Sequence, residues 1–302
     1  MHSANAASAV SPRKPSSLRQ RVLSAAVLIP LVIALVWWSV WSVVALLAAV
    51  AVLATLELYA AFAHGGHRPQ VRVGVVLALA PLAAAALQRY TSFPLGPPAI
   101  VLVIVASLVA MLPRHDQERA LADWALTAAG ALYTGVLLSQ IVLLRDLATP
   151  LCSGLFADLG LAPGAGWIFL VLLITWGQDV LAYFVGKYLG RRRMAPRLSP
   201  KKTWEGAAGG MLGALLGAWL GVALFGLPVS LAQGALLGLV GGIIGPLGDL
   251  SESFIKRQVG LKDAGHLIPG HGGVLDRIDS LLFTAPILYY LIVLLTGGAG
   301  AP

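Results

Sequence analysis

The sequence predicts an all-α, polytopic integral membrane protein with about nine transmembrane helices. Hydrophobic residues make up 58% of the 302-residue chain and charged residues only 11%, against about 25% charged residues in a typical soluble protein. The apolar residues fall into long runs, and a helix needs about 20 such residues to cross a bilayer. Lys and Arg concentrate on alternate connections between these runs, as the positive-inside rule requires of cytoplasmic loops.

Nine apolar runs account for the predicted spans. The run after Arg21 is followed almost at once by a second, which favours an uncleaved first helix over a cleaved signal peptide. The fourth run is short and begins with Pro97-Pro98. The predicted spans are Val22–Trp38, Val40–Ala63, Val71–Leu87, Pro98–Leu112, Leu121–Leu144, Trp167–Val185, Ala207–Phe225, Val229–Pro246 and Ile278–Thr296.

The distribution of positive charge predicts the orientation of these spans. With the N-terminus in the cytoplasm and the C-terminus outside, all 21 Lys and Arg residues except Arg89 and Arg145 lie on the cytoplasmic side. Adding or removing one span would place many of the Lys and Arg residues on the outer side and would remove this asymmetry. We therefore expect a multi-pass protein of the cell's inner membrane whose long loops face the cytoplasm.

The chain divides into three parts by composition. Residues 1–20 are rich in Ala, Ser and Pro and are interpreted as a disordered cytoplasmic tail. Residues 21–165 have short loops and helices with few polar residues, which suggests a scaffold. Residues 166–302 carry both long cytoplasmic loops and most of the polar residues within the membrane, and are interpreted as the catalytic region.

Charge and cysteine content exclude several classes of function. The formal net charge is +8, but the basic residues flank apolar spans and form no patch interleaved with exposed aromatics, so we expect no nucleic-acid partner. Cys152 is the only cysteine, which excludes an intramolecular disulfide and a cysteine-based zinc cluster. The sequence also lacks a P-loop, a G-x-S-x-G elbow and an H-E-x-x-H helix.

Glycines line one face of the seventh span. Gly209, Gly213, Gly217 and Gly221 recur every four residues, and the eighth span has a similar repeat. Small residues at this spacing let helix backbones approach closely in lipid. Tight helix packing is the favoured interpretation, and room for an acyl chain is the alternative.

A charged segment near the C-terminus carries the strongest functional signal. Five of the 13 acidic residues fall between positions 249 and 279: Asp249, Glu252, Asp263, Asp276 and Asp279. If the eighth helix continues past Pro246, Asp249 and Glu252 share one face with Lys256. Asp276 and Asp279 stand three residues apart at the start of the ninth span. Two carboxylates meeting there would hold Mg²⁺, which takes one or two carboxylates and leaves its other positions to water and phosphates.

The tripeptide His271-Gly272-Gly273 precedes the ninth span. Paired glycines permit positive φ and close approach of a ligand to the backbone, and their N–H groups could form an anion-binding nest. An ordinary glycine-rich turn is the alternative, and the charged residues directly behind it favour the functional interpretation.

The loop before the seventh span contains a second basic cluster. Ser199-Pro200 is typical of a helix N-cap followed by proline at the first helical position. Lys201 and Lys202 would then lie in the first helical turn, where a cation opposes the helix dipole. Either a phosphate-bearing ligand or membrane topology would explain them.

Two further carboxylates lie within predicted spans. Asp179 in the sixth span must face a partner or a wet cavity, either as a structural ion pair or as part of a site. Glu57 in the second span lies nearer the helix end, and we expect a structural role for it.

These motifs resemble one known family. The segment Ser253-Phe-Ile-Lys-Arg, followed by Lys262-Asp263 and by Gly270-His-Gly-Gly-Val-Leu-Asp-Arg-Ile-Asp279, is similar to the signature of the phosphatidate cytidylyltransferases. The resemblance extends to Asp179 and to the run from Ala195 to Gly206, and thus covers residues 175–285 closely. It implies formation of CDP-diacylglycerol and pyrophosphate from CTP and phosphatidate, with Mg²⁺, at the cytoplasmic membrane face.

The resemblance also implies roles for individual residues. The implied catalytic residues are Asp249, Asp276, Lys256, Arg257 and His271. The implied substrate-binding residues are Ser199, Lys201, Lys202, Asp179, Lys262, Asp263, Gly272, Gly273, Arg277 and Asp279. The implied metal ligands are Asp249, Asp276 and Glu252.

Two other functions stay open at this point. A CTP-dependent kinase of a lipid alcohol would share CTP and Mg²⁺ but release CDP instead of pyrophosphate. An ion or proton transporter would use Asp179 and Glu57, but it would carry acidic residues in repeated halves, and no such repeat is visible. We expect two divalent ions, and leave a monovalent cation and homo-oligomerisation open.

Overall fold

A computed structural model describes residues 18–113, 117–265, 267 and 272–297. Within these residues the chain forms nine α-helices and one two-stranded sheet. The helices are α1 Leu18–Trp38, α2 Val40–His64, α3 Val71–Gln88, α4 Gly96–Val109, α5 Gln117–Asp146, α6 Pro163–Tyr188, α7 Trp204–Phe225, α8 Leu231–Gln258 and α9 Leu275–Leu295. The strands are β1 Arg193–Ala195 and β2 Ser199–Thr203.

The predicted all-α membrane architecture is confirmed. Seven of the described helices are long and apolar enough to cross a bilayer. The other two are α4 and the apolar part of α1, Val22–Trp38, which are shorter. At 14 residues, α4 extends only about 21 Å, less than the roughly 30 Å of a bilayer's hydrocarbon core. The predicted orientation stays a prediction.

The glycine repeat of α7 brings this helix against α6. A Cβ added at Gly213 would lie 2.1 Å from the carbonyl oxygen of Gly177, and one at Gly217 would lie 2.4 Å from that of Leu173. The repeat of α8 faces α7 in the same way, with Gly238 against the Ala214 backbone. The structure therefore confirms the packing interpretation, because helix backbones fill the space that an acyl chain would need.

This contact predicts the effect of adding one methyl group. We expect Gly213→Ala to lower the free energy of unfolding by about 1–3 kcal/mol, the usual range for overpacking, because the new Cβ meets the backbone of Gly177. The measurement is thermal unfolding in detergent. Gly96→Ala is the control, since a Cβ there meets nothing within 4 Å; equal unfolding temperatures for the two variants would contradict the prediction.

The sheet corrects one local prediction. Ser199 and Pro200 do not begin a helix; they begin β2, which pairs antiparallel with β1. The cap of α7 is Thr203, whose side-chain oxygen accepts a hydrogen bond from the N–H of Gly206 at 3.1 Å. Lys201 and Lys202 therefore lie on a strand, because pairing with β1 and a later capping residue delay the helix start.

The eighth helix extends beyond its apolar run, which is the condition under which its charged residues share one face. The helix α8 continues through Pro246 to Gln258, well beyond the predicted end of the span. Asp249, Glu252 and Lys256 consequently share one helical face, close to the start of α9 at Leu275.

One hydrophobic core joins both predicted regions of the chain. It includes Leu58 from α2, Leu138 from α5, Trp167 from α6 and Leu282 from α9, all fully buried. The tail predicted for residues 1–20 lies almost entirely outside the described residues, and the division at residue 165 stays a prediction.

Candidate active site

Three carboxylates from three helices lie within electrostatic range of one another, beside the hairpin that β1 and β2 form. Asp179 of α6, Asp249 of α8 and Asp279 of α9 interact electrostatically with one another. Lys202 of β2 extends into this group and forms an ion pair with Asp249, 2.8 Å from Nζ to Oδ2. Its Nζ also donates to the carbonyl oxygen of Pro246 at 3.4 Å. The hairpin is thereby attached to the face of α8 that carries the acidic residues.

A second charged group lies between α8 and α9. Lys256 forms an ion pair with Glu252 one turn earlier and, at 2.6 Å, with Oδ1 of Asp276. The three side chains are only 11%, 1% and 8% exposed. Because a buried charge is costly unless it is paired, the contacts with Lys256 stabilise both acidic side chains here.

Asp276 also organises the loop in front of its own helix. Its carboxylate accepts hydrogen bonds from the backbone N–H groups of Ala264, at 3.1 Å, and Gly273, at 2.9 Å. Gly272 has the positive φ that the paired glycines predicted, at 86°. The N–H of Gly273 is thus used by the protein's own carboxylate, whereas the sequence suggested a substrate anion.

The two lysines of β2 have different surroundings. Lys201 is exposed, whereas Lys202 is partly buried against α8. This difference follows from the alternation of side chains along a strand, which directs neighbouring residues to opposite faces. The sequence analysis assigned Lys201 and Lys202 the same role.

The remaining predicted site residues differ in what they contact. Arg257 donates from Nε to the carbonyl oxygen of Leu198 at 3.3 Å, which links the end of α8 to the hairpin. Arg277 is exposed and interacts electrostatically with Asp179. The positions that complete the predicted set are the half-buried Ser199 and the exposed Lys262 and Asp263. His271 lies outside the described residues.

The carboxylates suit a hard divalent cation. Ionised carboxylates offer about four lone-pair sites each. Asp276 receives three donors, from Lys256, Ala264 and Gly273, and Asp249 receives Lys202 and, at 3.4 Å, the hydroxyl of Ser253. Both therefore keep capacity for a cation, and one or two carboxylates suffice for Mg²⁺. In the described part of the chain no three His, Cys, Asp or Glu side chains form a metal-binding group, and the predicted set of Asp249, Asp276 and Glu252 stays a prediction.

Sequence reasoning missed one residue, and its expectation of a structural role for another is confirmed. Tyr133 of α5 is partly buried, and its hydroxyl has no hydrogen-bond partner among the residues that the structure describes. It interacts electrostatically with Glu252 and Asp279. No sequence signal separates it from other tyrosines in spans. Glu57 contacts the start of α9, and its position inside an apolar helix was a signal that sequence reasoning had noted.

This arrangement can bring polyanions together. Alternating lysines and carboxylates at the junction of the hairpin, α8 and α9 provide cationic groups for phosphates and oxygen ligands for a divalent ion. Such charge neutralisation is the main requirement of phosphoryl and nucleotidyl transfer.

Comparison with known proteins agrees with this chemistry. The model of the cytidylyltransferase family matches residues 19–295. Proteins named phosphatidate cytidylyltransferase are similar to the chain: one from Synechocystis, 47% identical over 126 residues, one from Bacillus subtilis, 45% over 131, and one from Pseudomonas aeruginosa, 49% over 138. These alignments cover 42%, 43% and 45% of this chain, and 43%, 49% and 50% of the relatives. The chain thus spans about half the length of the curated relatives it matches.

Proposed function

The chain belongs to the cytidylyltransferase family, and from this premise we propose that it transfers the cytidylyl group from CTP to phosphatidate. The products are CDP-diacylglycerol and pyrophosphate. The observation that carries the proposal is the pairing of Lys202 with Asp249 and of Lys256 with Asp276. These pairs stand at one junction of the hairpin, α8 and α9, on the segments that also carry the family's motifs.

The proposed reaction needs charge neutralisation more than a base. A phosphate oxygen of phosphatidate attacks the α-phosphorus of CTP in line, and pyrophosphate leaves. A phosphate monoester has its second pKa near 6, so this nucleophile is already largely dianionic at neutral pH. Lys202 and the exposed Lys201 on β2, together with Arg257 and Arg277, are the cationic groups that we propose to bind the phosphates.

We propose that Mg²⁺ is held by Asp249 and Asp276, with Glu252 and Asp279 next to them. When bound, it would supply further neutralisation of the phosphate charge. The ion pairs of Lys202 with Asp249 and of Lys256 with Asp276 hold these two carboxylates in place. The hairpin, the C-terminal end of α8 and the N-terminal end of α9 are proposed to face the cytoplasm at the inner membrane. CTP is available on that side, and the lipid substrate enters from the bilayer.

The test is a direct assay of product identity. Purified protein in detergent receives labelled CTP, phosphatidate and Mg²⁺, and the products are identified by mass. We expect CDP-diacylglycerol and pyrophosphate, and no product when EDTA replaces Mg²⁺. Release of CDP with a lipid alcohol as acceptor would instead identify a lipid kinase. If neither CDP-diacylglycerol nor CDP formed, both the cytidylyltransferase and the kinase function would be refuted.

The lysines of β2 offer a sharper test of the site. Because Lys202 contacts Asp249 whereas Lys201 is exposed, we expect Lys202→Ala to lower kcat/KM by about 100-fold, the scale of losing one electrostatic group in an active site. Lys201→Ala should cost no more than about tenfold, as a loss of phosphate attraction alone. Equal losses from the two variants would show that contact with Asp249 is irrelevant to turnover.

A further inference from the structure

Glu57 of α2 reaches across the protein to the start of α9. Its Oε1 accepts a hydrogen bond from the backbone N–H of Val274 at 3.0 Å, and its Oε2 accepts one from the N–H of Leu275 at 2.9 Å. The two donors are consecutive, and both residues are buried, with 7% and 1% exposure. One carboxylate therefore satisfies two of the N–H groups that a helix start leaves without a partner.

The helix α9 has no cap of its own for these groups. Val274 stands at the N-cap position and its side chain offers no hydrogen bond. A carboxylate at a helix N-terminus also interacts favourably with the helix dipole. Glu57 thus performs, from a different helix, the role that Ser or Asp at the cap position performs elsewhere.

Two glycines make room for this carboxylate. A Cβ added at Gly265 would lie 2.4 Å from Oε1 of Glu57, and one added at Gly273 would lie 2.6 Å from Oε2. Neither glycine has a positive φ. The close approach of Glu57 explains why no side chain fits at Gly265, and at Gly273 the backbone N of Gly265, 2.8 Å from the added Cβ, excludes a side chain as well.

The contact is connected to the candidate active site through the backbone. Asp276 accepts the N–H groups of Ala264 and Gly273, and Glu57 accepts those of the next two residues, Val274 and Leu275. The two carboxylates together hold the segment that leads into α9. That segment sets the position of Asp276, which follows Leu275 directly.

We propose that Glu57 is a positioning residue for the active site: its carboxylate caps α9 from α2 and thereby fixes Asp276 and Asp279. In the described part of the chain, its hydrogen bonds go to the backbone of Val274 and Leu275 and not to either group of ion-paired side chains, so it acts through the backbone of α9. The proposal rests on the proposed cytidylyl transfer for its kinetic consequence, but the cap itself does not depend on that function.

Hydrogen–deuterium exchange tests the cap without any assay of activity. In Glu57→Gln, the amide retains one acceptor oxygen and faces the second N–H with a donor. We expect the amides of Val274 and Leu275 to lose protection, while the rest of the chain exchanges as in the wild type. Thr55→Val is the matched control, since it removes the 2.7 Å contact between Thr55 of α2 and Thr134 of α5 and leaves α9 untouched. Unchanged protection at both amides in Glu57→Gln would overturn the proposal.

Kinetics test the positioning role. Residues that orient a metal-binding group typically account for about 10- to 100-fold in activity, and we expect a loss of this size in kcat for Glu57→Gln. The KM for phosphatidate should change less than about threefold, because Glu57 does not contact the lipid. Thr55→Val should keep the wild-type kcat per folded molecule. Equal kcat in the two variants would show that Glu57 is only a structural contact and would overturn the positioning role. If the wild type itself formed no product, the proposed function would be refuted, but the exchange result on the cap would still hold.

A double-mutant cycle excludes a general folding defect. Gly265→Ala alone should reproduce the kcat loss, because the new Cβ displaces the Glu57 carboxylate. In the background of Glu57→Ala the same substitution has room and should cost little, so that the double variant equals Glu57→Ala alone. Multiplied losses in the double variant would show that the two residues act independently and would overturn the proposal.

Discussion

Asp276→Asn is expected to abolish formation of CDP-diacylglycerol, with a loss of more than about 100-fold, since residues that merely orient a metal ligand already account for 10- to 100-fold. The substitution removes the negative charge that faces Lys256 at 2.6 Å. It also replaces one acceptor oxygen by an NH₂ group, which cannot accept from Lys256, Ala264 or Gly273. The measurement is turnover of labelled CTP by the purified variant.

The control for this variant is Asp158→Asn. Asp158 is exposed in the loop between α5 and α6, and it belongs to neither ion-paired group. It should retain wild-type turnover, and both variants should insert into the membrane and elute as the wild type does. Near-normal turnover in a well-folded Asp276→Asn protein would show that the assignment of this carboxylate is wrong.

The helices could be predicted from the sequence because their signal is local. A run of apolar residues specifies a membrane helix by itself, and the carboxylates and basic residues at positions 249–257 continue the helical period of α8. The convergence of α8 and α9 was expected because the loop between them is anchored to a membrane helix at each end, and both ends carry acidic residues. Such features need no knowledge of distant parts of the chain.

The hairpin and the role of Glu57 could not be predicted because their partners are distant or non-helical. Ser199 has the local pattern of a helix cap, and only pairing with β1 turns it into a strand residue. Glu57 contacts a backbone 217 positions away. A lone carboxylate in an apolar span indicates a partner, but the sequence does not say which helix supplies it.

The site also bears on the transporter alternative. Asp249 lies near the end of α8, and Asp276 and Asp279 lie in the first turns of α9. Acidic residues that gather at helix ends beside a hairpin favour chemistry at one membrane face, whereas transporters of repeated halves place their sites near the midplane.

Lys256→Met is expected to lower the free energy of unfolding by about 3–5 kcal/mol, the cost of breaking a buried ion pair by removing one partner. Lys256 is the cation shared by Glu252 and Asp276, whose side chains are 1% and 8% exposed. Among the residues that the structure describes, Oε1 of Glu252 is already buried without a hydrogen-bond partner, so the ion pair with Lys256 is the main polar contact of this side chain. Thermal unfolding in detergent measures the loss, and Lys262→Met, at an exposed position, should change stability by less than about 0.5 kcal/mol.

A second substitution identifies the source of this loss. Glu252→Gln removes one of the two carboxylates that Lys256→Met leaves without a cation, and we therefore expect the double variant to be more stable than Lys256→Met alone. Lost packing of the lysine chain would give no such recovery, because glutamine has nearly the same volume as the glutamate it replaces and fills no space left by the lysine. Turnover should stay low in the double variant, since Asp276 still lacks its 2.6 Å partner. Recovery of stability without recovery of activity would show that Lys256 has two separate roles. It balances the charge of the buried carboxylates in the fold, and it holds Asp276 in the position that turnover requires.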